Sequence, residues 1–189
     1  MGRVVVIEFV TMDGVVEDPD GSGGASFGGW AFKDGPETVA GDKFRLGAAM
    51  DEGVLLMGRK TWELFARIWP GRADDFAVRL NAMPKLVASS TLKDVSGWSN
   101  SALAQVDPID AVRNEERDVI VTGSLSIVRA LQEQDLVDEY RLLVFPSVVG
   151  EGARLFPSGV APIDLTCTSV EQAGAAVLTR YQRVAANAS

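Results

Sequence analysis

V-L-L-M-G-R-K-T-W, residues 54–62, is the stretch on which the reading of this chain turns. Four apolar residues between Gly53 and Gly58 suit a short strand buried on both faces, and T-W-E-L-F from Thr61 onward changes to a helical spacing. A strand, a glycine turn and a helix are therefore expected. The first turn of a helix carries unpaired N–H groups and the positive end of its aligned peptide dipoles, so an anion can settle there. Arg59, Lys60 and the Thr61 hydroxyl would stand beside it. A P-loop would need a glycine-rich loop in the pattern G-x-x-x-x-G-K-[ST], whereas here Gly53 and Gly58 enclose an apolar strand and Arg59 precedes Lys60-Thr61. An ordinary strand-to-helix connection with solvated charges is the plainer alternative, and these nine residues alone leave it open.

Composition narrows the function classes. A chain of 189 residues, 47% hydrophobic and 23% charged, can bury a sizeable core as one globular domain spanning residues 1–189. Its net charge of −8 disfavours nucleic acid and anionic membrane surfaces as partners, so any phosphate site must be local. There is no histidine and one cysteine, Cys167, which removes histidine-dependent triads, imidazole metal ligation and thiolate zinc sites; no metal site is expected. Cys167 reads as filling of an alternating strand. No apolar run reaches the roughly 18 residues of a membrane span and the N-terminus lacks a signal-peptide layout, so a cytoplasmic location is expected.

Residues 3–10 form a nearly continuous apolar strand interrupted by Glu8. Residues 11–35 are too rich in glycine and aspartate for a helix or long strand. The aromatic residues Phe27, Trp30 and Phe32 suggest a loop folded over a cavity, with Trp30 and Phe32 able to stack on a flat substrate ring. A helix is expected from Pro36 to about Met50, carrying Asp42 in its first half. Further helices are expected after Thr61, from about Ala73 to Met83, after Asp107-Pro108, and from Ile127. Strands are expected at 85–88, 102–106, 118–122 and 140–145, with a hairpin around Ala173-Gly174. The strand ending in Gly123-Ser124-Leu125-Ser126 repeats the strand, glycine, hydroxyl, helix plan of the central stretch.

The order M-G-R-K-T-W-E, then K-L-V-A-S-S-T-L, then V-I-V-T-G-S-L-S-I-V resembles the dihydrofolate reductase superfamily. Within it, residues 3–184 look most like the reductase domain of the riboflavin-biosynthesis deaminase/reductase. The resemblance implies a single-domain α/β fold: a mixed, mostly parallel central sheet with helices on both faces and a C-terminal antiparallel hairpin. It implies NADPH, with Gly58, Arg59, Lys60 and Thr61 at its phosphates and Arg59 on the adenosine ribose phosphate. Ser89, Ser90 and Thr91 would flank the adenine end, and Gly123, Ser124, Leu125 and Ser126 the pyrophosphate. The branch often has paired glycines where this chain has Gly123-Ser124.

The activity implied is hydride transfer to a small heterocycle, in the manner of 5-amino-6-(5-phosphoribosylamino)uracil reductase. Dihydrofolate or pterin reduction, and a nonenzymatic nucleotide or heterocycle binder, are the alternatives. Asp42 lies where dihydrofolate reductases carry their substrate-facing carboxylate, and Asp13, in M-D-G, matches the S-x-D-G run of the riboflavin branch; either is a candidate proton-handling acid. A homodimer is also expected, from the resemblance and from the apolar C-terminal hairpin.

Overall fold

The computed structural model describes residues 1–184; residues 185–189, the end of the expected domain, lie outside the described part. Eight strands follow the order β4-β3-β2-β5-β1-β6-β8-β7 in a mixed sheet, the α/β class expected from the sequence. The described residues divide into two compact units, one of Met1–Val6 with Arg45–Val137 and one of Ile7–Phe44 with the described chain from Asp138 onward. Strand β1 (Val4–Thr11) contributes its first residues to the first unit and the rest to the second.

The first unit is built on β2 (Val54–Gly58), parallel to β3 (Lys85–Ala88) on one side and β5 (Val119–Thr122) on the other. Strand β4 (Ser101–Leu103) extends it beyond β3, and is shorter than the strand expected at 102–106. Val54, Leu55, Leu56 and Met57 are all buried, as an unbroken apolar run on a doubly covered strand requires. Helices α1 (Ala49–Glu52), α2 (Arg59–Ile68), α3 (Asp75–Ala82), α4 (Pro108–Asn114) and α5 (Leu125–Glu133) complete the unit. Two begin on side-chain caps: Asp74 accepts the Ala77 N–H at 3.1 Å, and Asp107 accepts the Ile109 N–H at 2.9 Å ahead of Pro108.

The helix expected from Pro36 to Met50 does not form. Gly41, Arg45 and Gly47 adopt φ of 72°, 53° and 53°, left-handed values that no α-helix tolerates, leaving a 3-10 turn at Pro36–Thr38 and the single turn of α1. Asp42 consequently sits on irregular chain, half-buried, and not on a helix.

In the second unit, β6 (Glu139–Phe145) and β7 (Leu165–Ala173) both run antiparallel to β8 (Ala176–Arg183), giving the expected hairpin. Its core gathers Trp30, Leu143, Phe145, Ala176 and Leu178, with Phe9 and Phe44 packed against them. Phe9 stacks on Phe44 at 5.4 Å, and the buried Arg141 pairs with Glu139 at 2.6 Å and donates to the Phe44 carbonyl at 3.2 Å. Glu8, which interrupts the apolar run of β1, is buried. Cys167 does not fill the strand interior as its alternating surroundings suggested; it is exposed on β7, where the pairing with β8 shifts register between Cys167 and Ser169.

Lys85, at the start of β3, is 1% exposed. Its three ammonium protons reach the carbonyls of Met83 at 2.6 Å, Asn81 at 3.0 Å and Ser99 at 3.1 Å, and Nζ lies 4.4 Å from the centre of the Trp98 ring. Burial pushes the ammonium down to about 8 from the ordinary 10.5. Lys85→Met keeps the stem and strands the carbonyls, so it should cost about 1–3 kcal/mol at pH 7. Because the folded-state value is the lower one, the unfolded chain binds the extra proton between pH 8 and 10.5 and the wild type gains stability across that window. Urea unfolding of both proteins at pH 7 and 10 checks this; a wild-type advantage that does not grow at pH 10 would refute it.

Candidate functional site

In the first unit the C-terminal ends of β2, β3 and β5 lie side by side, with Gly58 level with Ala88 and Leu56 with Val121. Each strand leads directly into one of the segments singled out in the sequence. Gly58 ends β2 and α2 starts at Arg59, two residues earlier than its spacing indicated, with no side chain capping it. Gly123 and Ser124 follow β5, both left-handed at φ 56° and 50°, and α5 starts at Leu125. The two helix starts touch. The Ser124 N–H donates to Thr61 Oγ1 at 3.1 Å, the Ser124 hydroxyl to the same oxygen at 3.0 Å, and the Gly58 N–H to Ser124 Oγ at 2.8 Å.

Only glycine suits position 123. A Cβ there would stand 2.9 Å from Thr61 Oγ1 and 3.1 Å from its methyl carbon, in a backbone conformation that side chains rarely adopt. Around the same edge, Arg59 Nη1 donates to Thr91 Oγ1 at 3.3 Å, and the Ser89 hydroxyl accepts the N–H groups of Thr91 and Leu92 at 3.2 and 3.0 Å. Arg59 is also 4.0 Å from Glu63. Lys60, Ser90 and Ser126 are exposed and Leu125 is half-buried. The expected residues of the three segments are thus brought to one edge, where first-turn N–H groups of two helices and the Arg59 guanidinium offer donors to an anion. The contact between Thr61 and Ser124 went unread in the sequence, although a serine in place of the second glycine was its visible trace.

The second unit assigns different work to the other candidates. Trp30 is 1% exposed, packed edge-on against Phe145 at 5.5 Å, with its indole N–H on the Glu17 carbonyl at 3.0 Å. It is a core residue and not a platform for a ring; Phe32, two residues on, is exposed. The glycine-rich loop is held by Asp18, whose carboxylate accepts the Gly23 and Ala25 N–H groups at 2.7 and 2.8 Å.

Asp13 is a clamp. Its carboxylate accepts the Thr11 hydroxyl at 2.6 Å and the N–H groups of Gly150 at 2.8 Å and Val149 at 3.3 Å, with Arg154 at 3.7 Å. The Thr11 hydroxyl first, then the Gly150 and Val149 N–H groups, hold it at about 2 against the ordinary 3.8. A carboxylate so held stays ionised near neutrality, which opposes its expected role as a proton donor. The clamp's stabilisation is complete above pH 3.8 and lost as pH falls through 2. The Gly150 amide resonance should therefore titrate near pH 2, and Asp13→Asn should abolish that step; a midpoint near 3.8 would show that the clamp does not exist in solution.

Known proteins resemble this chain over nearly its full length. The family model of the RibD C-terminal domain matches residues 3–179. YyaP of Bacillus subtilis (strain 168), an uncharacterized protein, is 25% identical over a 163-residue alignment, with 82% of this chain and 80% of YyaP covered. A crystal structure from Shewanella sp. PV-4, named "Putative riboflavin biosynthesis protein", shares the fold at a TM-score of 0.69, with 21% identity, over 96% of this chain and 99% of that one. The riboflavin-pathway branch expected from the three sequence segments is the one these comparisons return, and the chain belongs to the RibD C-terminal domain family, a family of reductases.

Proposed function

We propose that this protein is an NADPH-dependent reductase of a small heterocycle, acting in the manner of 5-amino-6-(5-phosphoribosylamino)uracil reductase, and that it works in the cytoplasm. The observation that carries the reading is the meeting of the α2 and α5 starts at the ends of adjacent parallel strands, since ligands of open α/β sheets gather at that edge. The donor set fits a dinucleotide. First-turn N–H groups of α2 and α5 suit the pyrophosphate, Arg59 beside Thr91 suits a ribose phosphate, and Ser89 and Ser90 border the adenine end. Bound NADPH would supply the hydride, and the protein's share is to orient the partners and handle a proton.

Asp42 is the acid proposed for that proton. Asp13 is committed to its clamp, whereas Asp42 is half-buried on the segment whose Phe44 is fixed by Arg141 and Phe9. A homodimer belongs to the same reading, with the exposed edge strand β7 as the surface on offer. Pterin reduction is the neighbouring alternative on the same residues.

Two variants test the reading. Arg59→Ala should flatten a preference for NADPH over NADH, because the lost contact is to a phosphate that NADH lacks. Asp42→Asn should lower turnover about a hundredfold or more with NADPH affinity nearly unchanged. Calorimetry with both cofactors and steady-state rates across a panel of pyrimidines and pterins supply the readouts. Equal affinity of the wild type for NADPH and NADH would refute the role of Arg59, and an undiminished kcat in Asp42→Asn would refute that of Asp42.

A further inference from the structure

Between β3 and β4 the chain runs from residue 89 to residue 100 without helix or strand. Because β4 lies parallel to β3, with Lys85 level with Ser101, this segment leaves the end of β3 next to Ser89 and must come back to the start of the same strand. Its middle is open to water: Lys93, Asp94, Ser96 and Gly97 are exposed. A connection with so little packing of its own takes its course from the way its two ends are tied.

The two ends are tied differently. At the outgoing end the ties lie near the surface, where Ser89 Oγ accepts the Thr91 and Leu92 N–H groups and Arg59 reaches the Thr91 hydroxyl at 3.3 Å. At the return end Trp98 is buried and donates its indole N–H to Asn81 Oδ1 at 2.6 Å, while Asn81 Nδ2 donates to the Trp69 carbonyl at 2.9 Å. Both halves of the Asn81 side chain are therefore in use, one on the returning segment and one on the residue that ends α2. The Asn81 carbonyl accepts the Ser99 hydroxyl at 3.3 Å and the Asn100 side-chain amide at 3.1 Å, and the Lys85 ammonium that bonds this carbonyl bonds the Ser99 carbonyl as well.

We propose that Asn81, together with Lys85, is a latch on the return of segment 89–100 and, through that segment, a positioning residue for the ribose-phosphate and adenine end of the nucleotide. This rests on the nucleotide reading above and adds to it residues that touch no ligand. With the latch closed, Trp98, Ser99 and Asn100 are fixed, and the only slack left to Ser89, Ser90 and Thr91 is that of the open middle. With it released, the returning chain gains freedom and Thr91 is no longer held beside Arg59. The pyrophosphate donors do not share this dependence, because the starts of α2 and α5 are bonded directly to each other through Thr61 and Ser124.

The test uses the full chain, NADPH and two fragments of it: adenosine 2′,5′-bisphosphate, which carries the adenine and the ribose phosphate, and reduced nicotinamide mononucleotide, which carries neither. Asn81→Leu should raise the Kd of NADPH and of the adenosine fragment alike, by about tenfold, and leave that of the nicotinamide fragment unchanged. In the ligand-free protein the same variant should speed hydrogen exchange of the Thr91 and Leu92 amides, while Leu55 and Leu56 in β2 keep the wild-type rate. Trp98→Phe, which keeps a ring beside the Lys85 ammonium and removes the indole N–H, should show the same selectivity to a smaller degree, and it keeps the test decisive if Asn81→Leu folds poorly. Equal losses for both fragments, exchange that rises in β2 as much as at Thr91, no loss for the adenosine fragment in either variant, or a wild type that binds NADPH but not that fragment would overturn the latch and leave the nucleotide reading standing. A wild type that binds neither NADPH nor the adenosine fragment would overturn both.

Discussion

Backbone N–H groups outside the ladders must find acceptors, and in this protein side-chain oxygens provide several of them. Asp18 gathers Gly23 and Ala25, Asp13 gathers Val149 and Gly150, Glu17 accepts Ala153 at 2.7 Å, and Ser124 accepts Gly58. The Asp13, Glu17 and Ser124 contacts join positions far apart in the chain, and the Asp18 contacts fold one loop upon itself. The order of the long glycine-rich loop depends on them, because its glycines contribute conformational freedom and no packing of their own.

The same requirement changes how the acids of this chain should be understood. Ionised carboxylates accept hydrogen bonds and cannot give them, so an aspartate that holds two amide groups and a hydroxyl is withdrawn from proton transfer by the chemistry that makes it a good clamp. Hydroxyls keep one proton in reserve. That difference separates Asp13, which closes a loop, from Thr61, whose oxygen accepts from Ser124 and still carries a proton of its own.

The strands and the C-terminal hairpin were the most legible part of the sequence. Residues 54–57 announced a doubly covered strand because no alternation interrupts them, and the hairpin around Gly174 was marked by a glycine that adopts φ 67°. The segment between Pro36 and Met50 was misread because its apolar spacing carries no trace of the left-handed backbone at Arg45, a residue type that gives no warning of it. Trp30 was misread for a related reason: an aromatic residue in a polar loop is equally consistent with a ring turned toward a ligand or into a core, and Phe145 decides for the core. At the site, the three segments could be collected from order and spacing, but the hydroxyl contact between Thr61 and Ser124 joins positions 63 residues apart. Lys85 offered least of all, since a lysine at the start of a strand reads as solvated until Met83, Asn81 and Ser99 are seen to turn their carbonyls on it.

The tryptophans are divided unevenly between the two units. Trp62, Trp69 and Trp98 belong to the first, while Trp30 alone belongs to the second. Light emitted by this protein is accordingly two reports in one signal: the indole sealed behind Phe145 speaks for the sheet of β6, β7 and β8, and the aromatic group of Phe65, Trp69, Phe76 and Trp98 speaks for the unit that holds the helix starts. Silencing Trp30 with phenylalanine would leave tryptophan fluorescence blind to the second unit and faithful to the first, whose melting could then be watched by itself.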